Sequence, residues 1–352
     1  MPLSAVDSIS PAFEHTKQQL FRPFRFGQWT RVALVGLFAG ELSSGGGCSF
    51  PRFPHTRTTH NDLLAATPHD WALLAPILLL ALIAIPLVWL FLLYVNSRMR
   101  FVLFDSVIAK RCELGRMWQQ RREPAFQYFL FQIVVVLATM AGTVFLIGVP
   151  AMAAFLAGWF SAPRQHLVPL ILLGVLLFFA FAAWLLLSIV VHVFTKDFVV
   201  PQMALENISA FEGWRRLWGM MRPERPGYAG YAGMKLLMAV GAAVGIGILA
   251  AIAIVLLLIP FGGIAAITIL AGKVAGLTWN VFTITAAVVA GSVFLLLALY
   301  AVSLVSVPVI IFFPAYSVYF FASRYARLSD VLYPHPPLPP PTPILPAPEP
   351  IG

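Results

Sequence analysis

The run from Leu167 to Val193 reads LVPLILLGVLLFFAFAAWLLLSIVVHV and contains no Asp, Glu, Lys or Arg. A helix built from it is apolar on every side and leaves no face for water. Crossing a bilayer takes about 20 consecutive apolar residues, and this run exceeds that. It reads as a transmembrane helix and decides the fold class. Working outward, windows 72–95, 128–158 and 233–259 each make one further span. Residues 29–46 are a shorter candidate, with Arg31 near the start and Glu41 near the end, both placed to snorkel to an interface. The last charge-free stretch, 274–323, has 50 residues and holds either one long broken helix or two spans.

Composition agrees. Of 352 residues, 60% are hydrophobic and 11% charged, and mean hydropathy is +0.87. A soluble domain carries about 25% charged residues, because its surface must be wetted. Lipid is the solvent that tolerates this exterior. The net charge of +9 would in a soluble protein raise nucleic-acid binding. Here the basic residues sit in loops beside apolar runs, and no basic stripe interleaved with aromatics tracks a phosphate backbone. Nucleic acid is not an expected partner.

Orientation follows from Lys and Arg. Segment 97–124 carries Arg98, Arg100, Lys110, Arg111, Arg116, Arg121 and Arg122, and segment 194–228 carries Lys196, Arg215, Arg216, Arg222 and Arg225. Opposite them stand only Arg52, Arg57, Arg164 and Lys273. The two basic segments are expected in the cytoplasm. Cys48 and Cys112 then fall on opposite sides, which excludes a disulfide between them. No apolar core precedes Phe26, so a cleavable signal peptide is not expected.

Three basic segments look alike. Ala12-Phe13-Glu14 is followed by Leu20-Phe21-Arg22-Pro23, and Ala210-Phe211-Glu212 by Leu217-Trp218 and Arg222-Pro223. The middle copy runs from Glu113 through Arg116-Met117-Trp118 to Glu123-Pro124. Glu14, Glu113 and Glu212 are 99 residues apart. In the third copy Phe211, Trp214, Leu217, Trp218 and Met221 recur at helical spacing with arginines between them, the pattern of an amphipathic helix at headgroup level. The following Pro suits the first turn of an ascending helix. Phe101 to Asp105, Phe198 to Pro201 and Ile311 to Pro314 also match, which makes 281–307 span six and Tyr316 to Arg327 a last interfacial helix.

The expected architecture is therefore all-α: a polytopic transmembrane helical bundle of six spans, built as three repeats of interfacial helix plus helical hairpin. Its membrane domain covers 1–332, with repeats at about 8–104, 105–200 and 201–328, and a Pro-rich disordered tail covers 333–352. Both termini are expected in the cytoplasm.

The stretch Val200-Pro201 through Glu206 to Ala210, then Trp214-Arg215-Arg216-Leu217, resembles a segment recurring in uncharacterised prokaryotic membrane families. These are related to the membrane domain preceding the catalytic domain of some bacterial glycerophosphodiester phosphodiesterases. Pro201, Glu206 and Ala210 match the pattern, the usual Ser-Trp pair is absent, and Trp214 falls one residue early. The resemblance implies a membrane module of a prokaryotic cytoplasmic membrane, without hydrolase activity.

No catalytic constellation emerges. Of fourteen Asp and Glu residues, only Glu41 lies in an expected span, which disfavours ion-coupled transport. Cys48, His55, His60, Asp62, His69 and Asp70 cluster in one loop, but their spacing fits no metal-ligand pattern and reads as a solvated loop. No metal and no cofactor are expected. Gly241, Gly245, Gly247 and Ala251 form a small-residue packing face, and Gly142, Gly148 and Pro150 permit a kink. The expected function is that of a non-enzymatic membrane protein contacting anionic lipids or a protein partner, a homo-oligomer included. The contacts are Arg22, Arg116, Arg121, Arg122, Trp214, Arg215, Arg216, Trp218 and Arg222. A transporter or channel for a small or lipid-like solute, and an enzyme acting on lipid headgroups, are the alternatives.

Overall fold

The computed structural model describes residues 3–41, 68–161, 164–274, 276 and 280–334. The described residues are helical, with no strand among them. In chain order the helices are α1 (Ile9–Phe21), α2 (Phe26–Phe38), α3 (Pro68–Ile108), α4 (Leu114–Gln120), α5 (Arg122–Leu156), α6 (Leu167–Phe194), α7 (Val200–Glu206), α8 (Ala210–Met221), α9 (Arg225–Val274), α10 (Val281–Ala322) and α11 (Ala326–Leu332). A π-helical turn, Thr195–Val199, joins α6 to α7.

Local sequence sets several boundaries. Ser209 caps α8, its hydroxyl accepting from the Glu212 amide at 3.3 Å. Asn280 and Thr283 form a capping box at the start of α10. Asn207, at φ 57°, ends α7 in the left-handed conformation that Asn tolerates. Gly40, at φ 72°, does the same for α2, and the Glu41 amide bonds back to the Gly36 carbonyl at 3.0 Å.

Among the described residues, five helices are long and apolar enough to cross a membrane: Leu82–Ile108, Arg122–Leu156, Leu167–Glu206, Arg225–Gly272 and Phe282–Ala322. The expected span at 29–46 is not one of them. Its helix, α2, has 13 residues and is roughly 20 Å long, against about 30 Å of hydrocarbon. Gly40 stops it. Residues 42–46 lie outside the described residues.

Two further expectations change. Residues 316–322 are not a separate interfacial helix, because α10 runs on through Pro308 and Pro314 to Ala322. Tertiary packing holds it: Tyr316, Phe320 and Phe321 are fully buried. The Gly241-Gly245-Gly247 face of α9 meets no other helix among the described residues, where a Cβ would have no atom within 4 Å. Close approach occurs instead at Gly142, where a Cβ would stand 2.3 Å from the Trp184 ring, and at Gly36 against Ile310. The loop with Cys48, His55, His60 and Asp62, and the tail from residue 335, fall outside the described residues.

The helices divide into base and arms. The base holds the core, where Phe198 packs against Phe194, Tyr228, Tyr231, Phe320 and Phe321. Tyr231 stacks flat on Tyr316, with ring centroids 5.1 Å apart. The arms are the apolar lengths of α3, α5, α6, α9 and α10, and they are largely uncovered. None of the most apolar window of Leu167–Glu206 is buried, and 6% of that of Arg225–Gly272. The short helices all belong to the base. α1 lies on the end of α10, with Tyr316 donating to the Ala5 carbonyl at 3.0 Å. α4 lies on α3, and α8 on the π turn.

Candidate functional site

The base carries a buried set of charges where three elements and the end of α2 meet. Glu41 follows the Gly40 stop, Arg100 comes from α3, Lys196 and Asp197 from the π turn, and Lys235 from α9. All five side chains are between 1% and 8% exposed. Lys196 bonds Glu41, and Arg100 lies 3.7 Å from the same carboxylate. Arg100 Nη2 also donates to the Ala39 carbonyl at 2.8 Å. Asp197 accepts from Lys235 and, at 2.9 Å, from the Tyr231 hydroxyl. A π turn fits this arrangement, because its wider winding lets consecutive residues reach different partners. Lys196 turns to α2 and Asp197 to α9. A cavity of about 20 Å³ lies among Glu41, Arg100, Lys196, Asp197 and Ser317.

Above this set a cavity of about 360 Å³ opens between α3, α5 and the end of α6. Asn96, Arg100, Tyr128, Gln132, His192 and Thr195 form its polar end. Trp89, Leu92, Leu93, Phe131, Val135 and Val136 form its apolar walls. The polar residues are held from behind. Ser97 donates to Gln132 Oε1 at 2.7 Å, Gln132 Nε2 donates to the Tyr128 hydroxyl at 3.1 Å, and Asn96 Nδ2 to the Phe38 carbonyl at 3.0 Å. Arg100 Nε and Nη1 are buried without a hydrogen-bond partner.

The nine residues picked from sequence are not brought into one site. Arg22, Arg116, Arg122, Arg215 and Arg222 are exposed on the base. Arg121 is turned inward: it pairs with Asp105 at 3.2 Å and bonds the Ala204 carbonyl, tying α4 and α5 to α3 and α7. Trp214 is half-buried, donating from Nε1 to the Thr195 hydroxyl at 3.0 Å. Trp218 stays exposed. Arg216 spans Glu206 at 2.5 Å and Glu212 at 2.9 Å, and Arg215 reaches Glu212 at 2.6 Å. These ion pairs hold the Glu212 carboxyl below the usual range, the Arg216 hydrogen bond contributing most.

The buried charges were missed because Arg98, Arg100 and Lys196 look like loop residues in sequence. They are helical, and Arg98 and Arg100 are buried. Arg98 lies 4.7 Å over the Trp118 ring. One signal was available: Lys196-Asp197 sits between two runs of apolar residues. No metal-binding group of His, Cys, Asp and Glu occurs among the described residues. Cys112 is a buried free thiol whose pKa burial raises to about 11.

Five long apolar helices on a compact helical base define a membrane protein of the polytopic helical class. Within that class, the chain belongs to the family of unknown function DUF7544, whose model matches residues 3–331. No curated protein and no solved structure matches the chain.

Proposed function

We propose that this is a non-enzymatic integral membrane protein that grips an acidic membrane surface through its base. Three repeats build it, α1 to α3, α4 to α6 and α8 to α10, each a short surface helix followed by two membrane-directed helices. The element order supports this, as does the packing of each short helix on the end of the preceding long one. α1 closes the series by packing on α10. In this reading α2 enters the membrane as the first of six segments. The base and both termini face the cytoplasm of a prokaryote. Contact between Arg324 and the Leu3 carbonyl at 3.0 Å, which joins the end of α10 to the amino-terminal segment, supports termini on one side.

One observation carries the surface role. Exposed aromatics lie close in sequence to exposed arginines of the base: Phe21, Phe24 and Phe26 flank Arg22, Phe126 is one helical turn from Arg122, and Phe211 and Trp218 flank Arg215, with Arg222 one turn beyond Trp218. Each of these aromatics is 49–65% exposed. The headgroup layer satisfies both residue types at once, wetting the guanidinium and covering the ring. The resemblance to the membrane domain of phosphodiesterases is compatible. Pro201, Glu206 and Ala210 make a helix–turn–helix here, with Glu206 accepting from Arg216 and Tyr325, each at 2.5 Å.

Amide exchange in nanodiscs tests this. Protection of α8 should be greater in phosphatidylglycerol than in phosphatidylcholine. Gln at positions 22, 122, 215 and 222 should erase that difference. Equal exchange of the unsubstituted protein in both lipids would sink the reading.

A second reading, movement of a lipid-like solute, draws on the 360 Å³ cavity. Beneath that cavity the ion-paired set leaves only about 20 Å³, which fits roughly one water. Occupancy is thus better supported than passage.

A further inference from the structure

We propose that the cavity between α3 and α5 binds one acidic phospholipid, with its phosphate at Arg100 and an acyl chain lying between the two helices. The site is distinct from the exposed arginines of the base and does not depend on them.

The first argument is register. On α3 the lining residues Trp89, Leu92, Leu93, Asn96 and Arg100 are spaced as one helical face, and on α5 Tyr128, Gln132, Val135 and Val136 form another. α3 descends into the base while α5 rises from it, so both faces turn from apolar to polar at the same end. From Trp89 to Arg100 is about 16 Å along the axis, close to one leaflet of a hydrocarbon layer about 30 Å thick. A phospholipid of the leaflet on the side of the base has the same gradient in the same direction.

The second argument is charge. Arg100 is 4% exposed, and its Nε and Nη1 have no hydrogen-bond partner. A buried guanidinium normally has its donors satisfied, and a phosphate oxygen is its best acceptor. Glu41 answers Arg100 only at 3.7 Å while it bonds Lys196 directly. Among the described residues the set holds three cations, Arg100, Lys196 and Lys235, against two carboxylates, Glu41 and Asp197. Buried charge of one sign calls for an anion. Asn96 and Gln132 add side-chain amides at the same level.

The third argument is size. A volume of 360 Å³ falls within the range of about 300–1,000 Å³ usual for ligand sites. It takes a headgroup and the start of a chain, the rest of which would lie along the exposed apolar sides of α3 and α5.

Native mass spectrometry of the full chain in detergent micelles tests the site, titrated with phosphatidylglycerol, phosphatidylcholine and soluble glycerol phosphate. One phosphatidylglycerol should be retained, with phosphatidylcholine held about ten-fold more weakly. Glycerol phosphate alone should not be retained. Val136→Trp fills the apolar wall without touching the charges and should weaken phosphatidylglycerol about ten-fold. Arg100→Gln should do the same and should abolish the preference over phosphatidylcholine. Gln at 22, 122, 215 and 222 should leave the single retained lipid in place, which separates this site from surface binding. Retention unchanged in Val136→Trp overturns the proposal, as does equal affinity for both lipids. Retention of glycerol phosphate as strongly as the lipid makes this a free-phosphate site and overturns the acyl-chain assignment. If Arg100→Gln does not yield folded protein, Val136→Trp decides.

Discussion

The arms and the base of this protein are both helical and both rich in apolar residues, yet they are stabilised by opposite means. In the arms, Leu176, Phe178 and Phe179 are 66–67% exposed, and their partner is lipid. In the base, Tyr231, Tyr316, Phe198 and Phe320 are fully buried against one another. Charges are buried there too, Lys196 and Arg100 beside Glu41 and Lys235 beside Asp197. An apolar side chain in an arm needs no particular neighbour, since lipid is as apolar as Leu. A side chain in the base needs a specific one. Substitutions should therefore be tolerated in the arms and felt in the base.

The sharpest test is the buried pair. Asp197→Ala leaves Lys235 buried and uncompensated, which typically costs about 3–5 kcal/mol. Thermal unfolding in detergent should show a large drop, and adding Lys235→Met should recover much of it. Leu176→Ala on the exposed side of α6 should barely move the midpoint. Equal losses at both positions would break the comparison.

Acid should act on the base next. His15 of α1 is 2% exposed, with Nδ1 3.1 Å from the Tyr319 hydroxyl. Burial, aided by the nearby Lys110 charge, lowers its pKa from 6.5 to about 4. Below pH 6.5 the unfolded chain binds a proton that the folded one refuses. The contribution is therefore complete above that pH, falls as pH drops toward 4, and amounts to about 3 kcal/mol. Protease accessibility of α1 should rise over this window, and His15→Leu should flatten the profile.

Glycine offers the finest test. A Cβ at Gly36 would stand 2.5 Å from the Ile310 side chain, which is β-branched and slow to yield. Gly36→Ala should cost about 1–3 kcal/mol by overpacking. A Cβ at Gly245 would meet nothing within 4 Å, so Gly245→Ala should be neutral or slightly stabilising through helix propensity. Detergent melting of the two single variants measures the contrast directly.

The arms were legible because hydropathy is a local property. Leu167 to Val193 reads as a span without knowledge of anything around it, and α10 begins at Val281 where the reading placed it. The base was legible only in outline. Exposed arginines on the short helices could be picked out, but Arg121 and Arg216 proved to be engaged within the chain. At 29–46 the apolar run was legible, but where its helix ends was not: α2 stops at Phe38, before the left-handed Gly40. The glycine face on α9 meets no other helix among the described residues, because spacing shows where helices can approach, not where they do.

By itself, the sequence determined membrane residence, the positions of the long helices and the basic end of the molecule. Each follows from transfer of apolar or charged groups between water and lipid, which needs no partner. Only the tertiary structure decided that α10 passes two prolines unbroken and that Arg98, Arg100 and Lys196 are helical. It alone brought Glu41, Arg100, Lys196, Asp197 and Lys235 together beneath a cavity. Glu41 and Lys196 are buried beside each other though 155 residues apart, and they acquire that relation only when the chain folds.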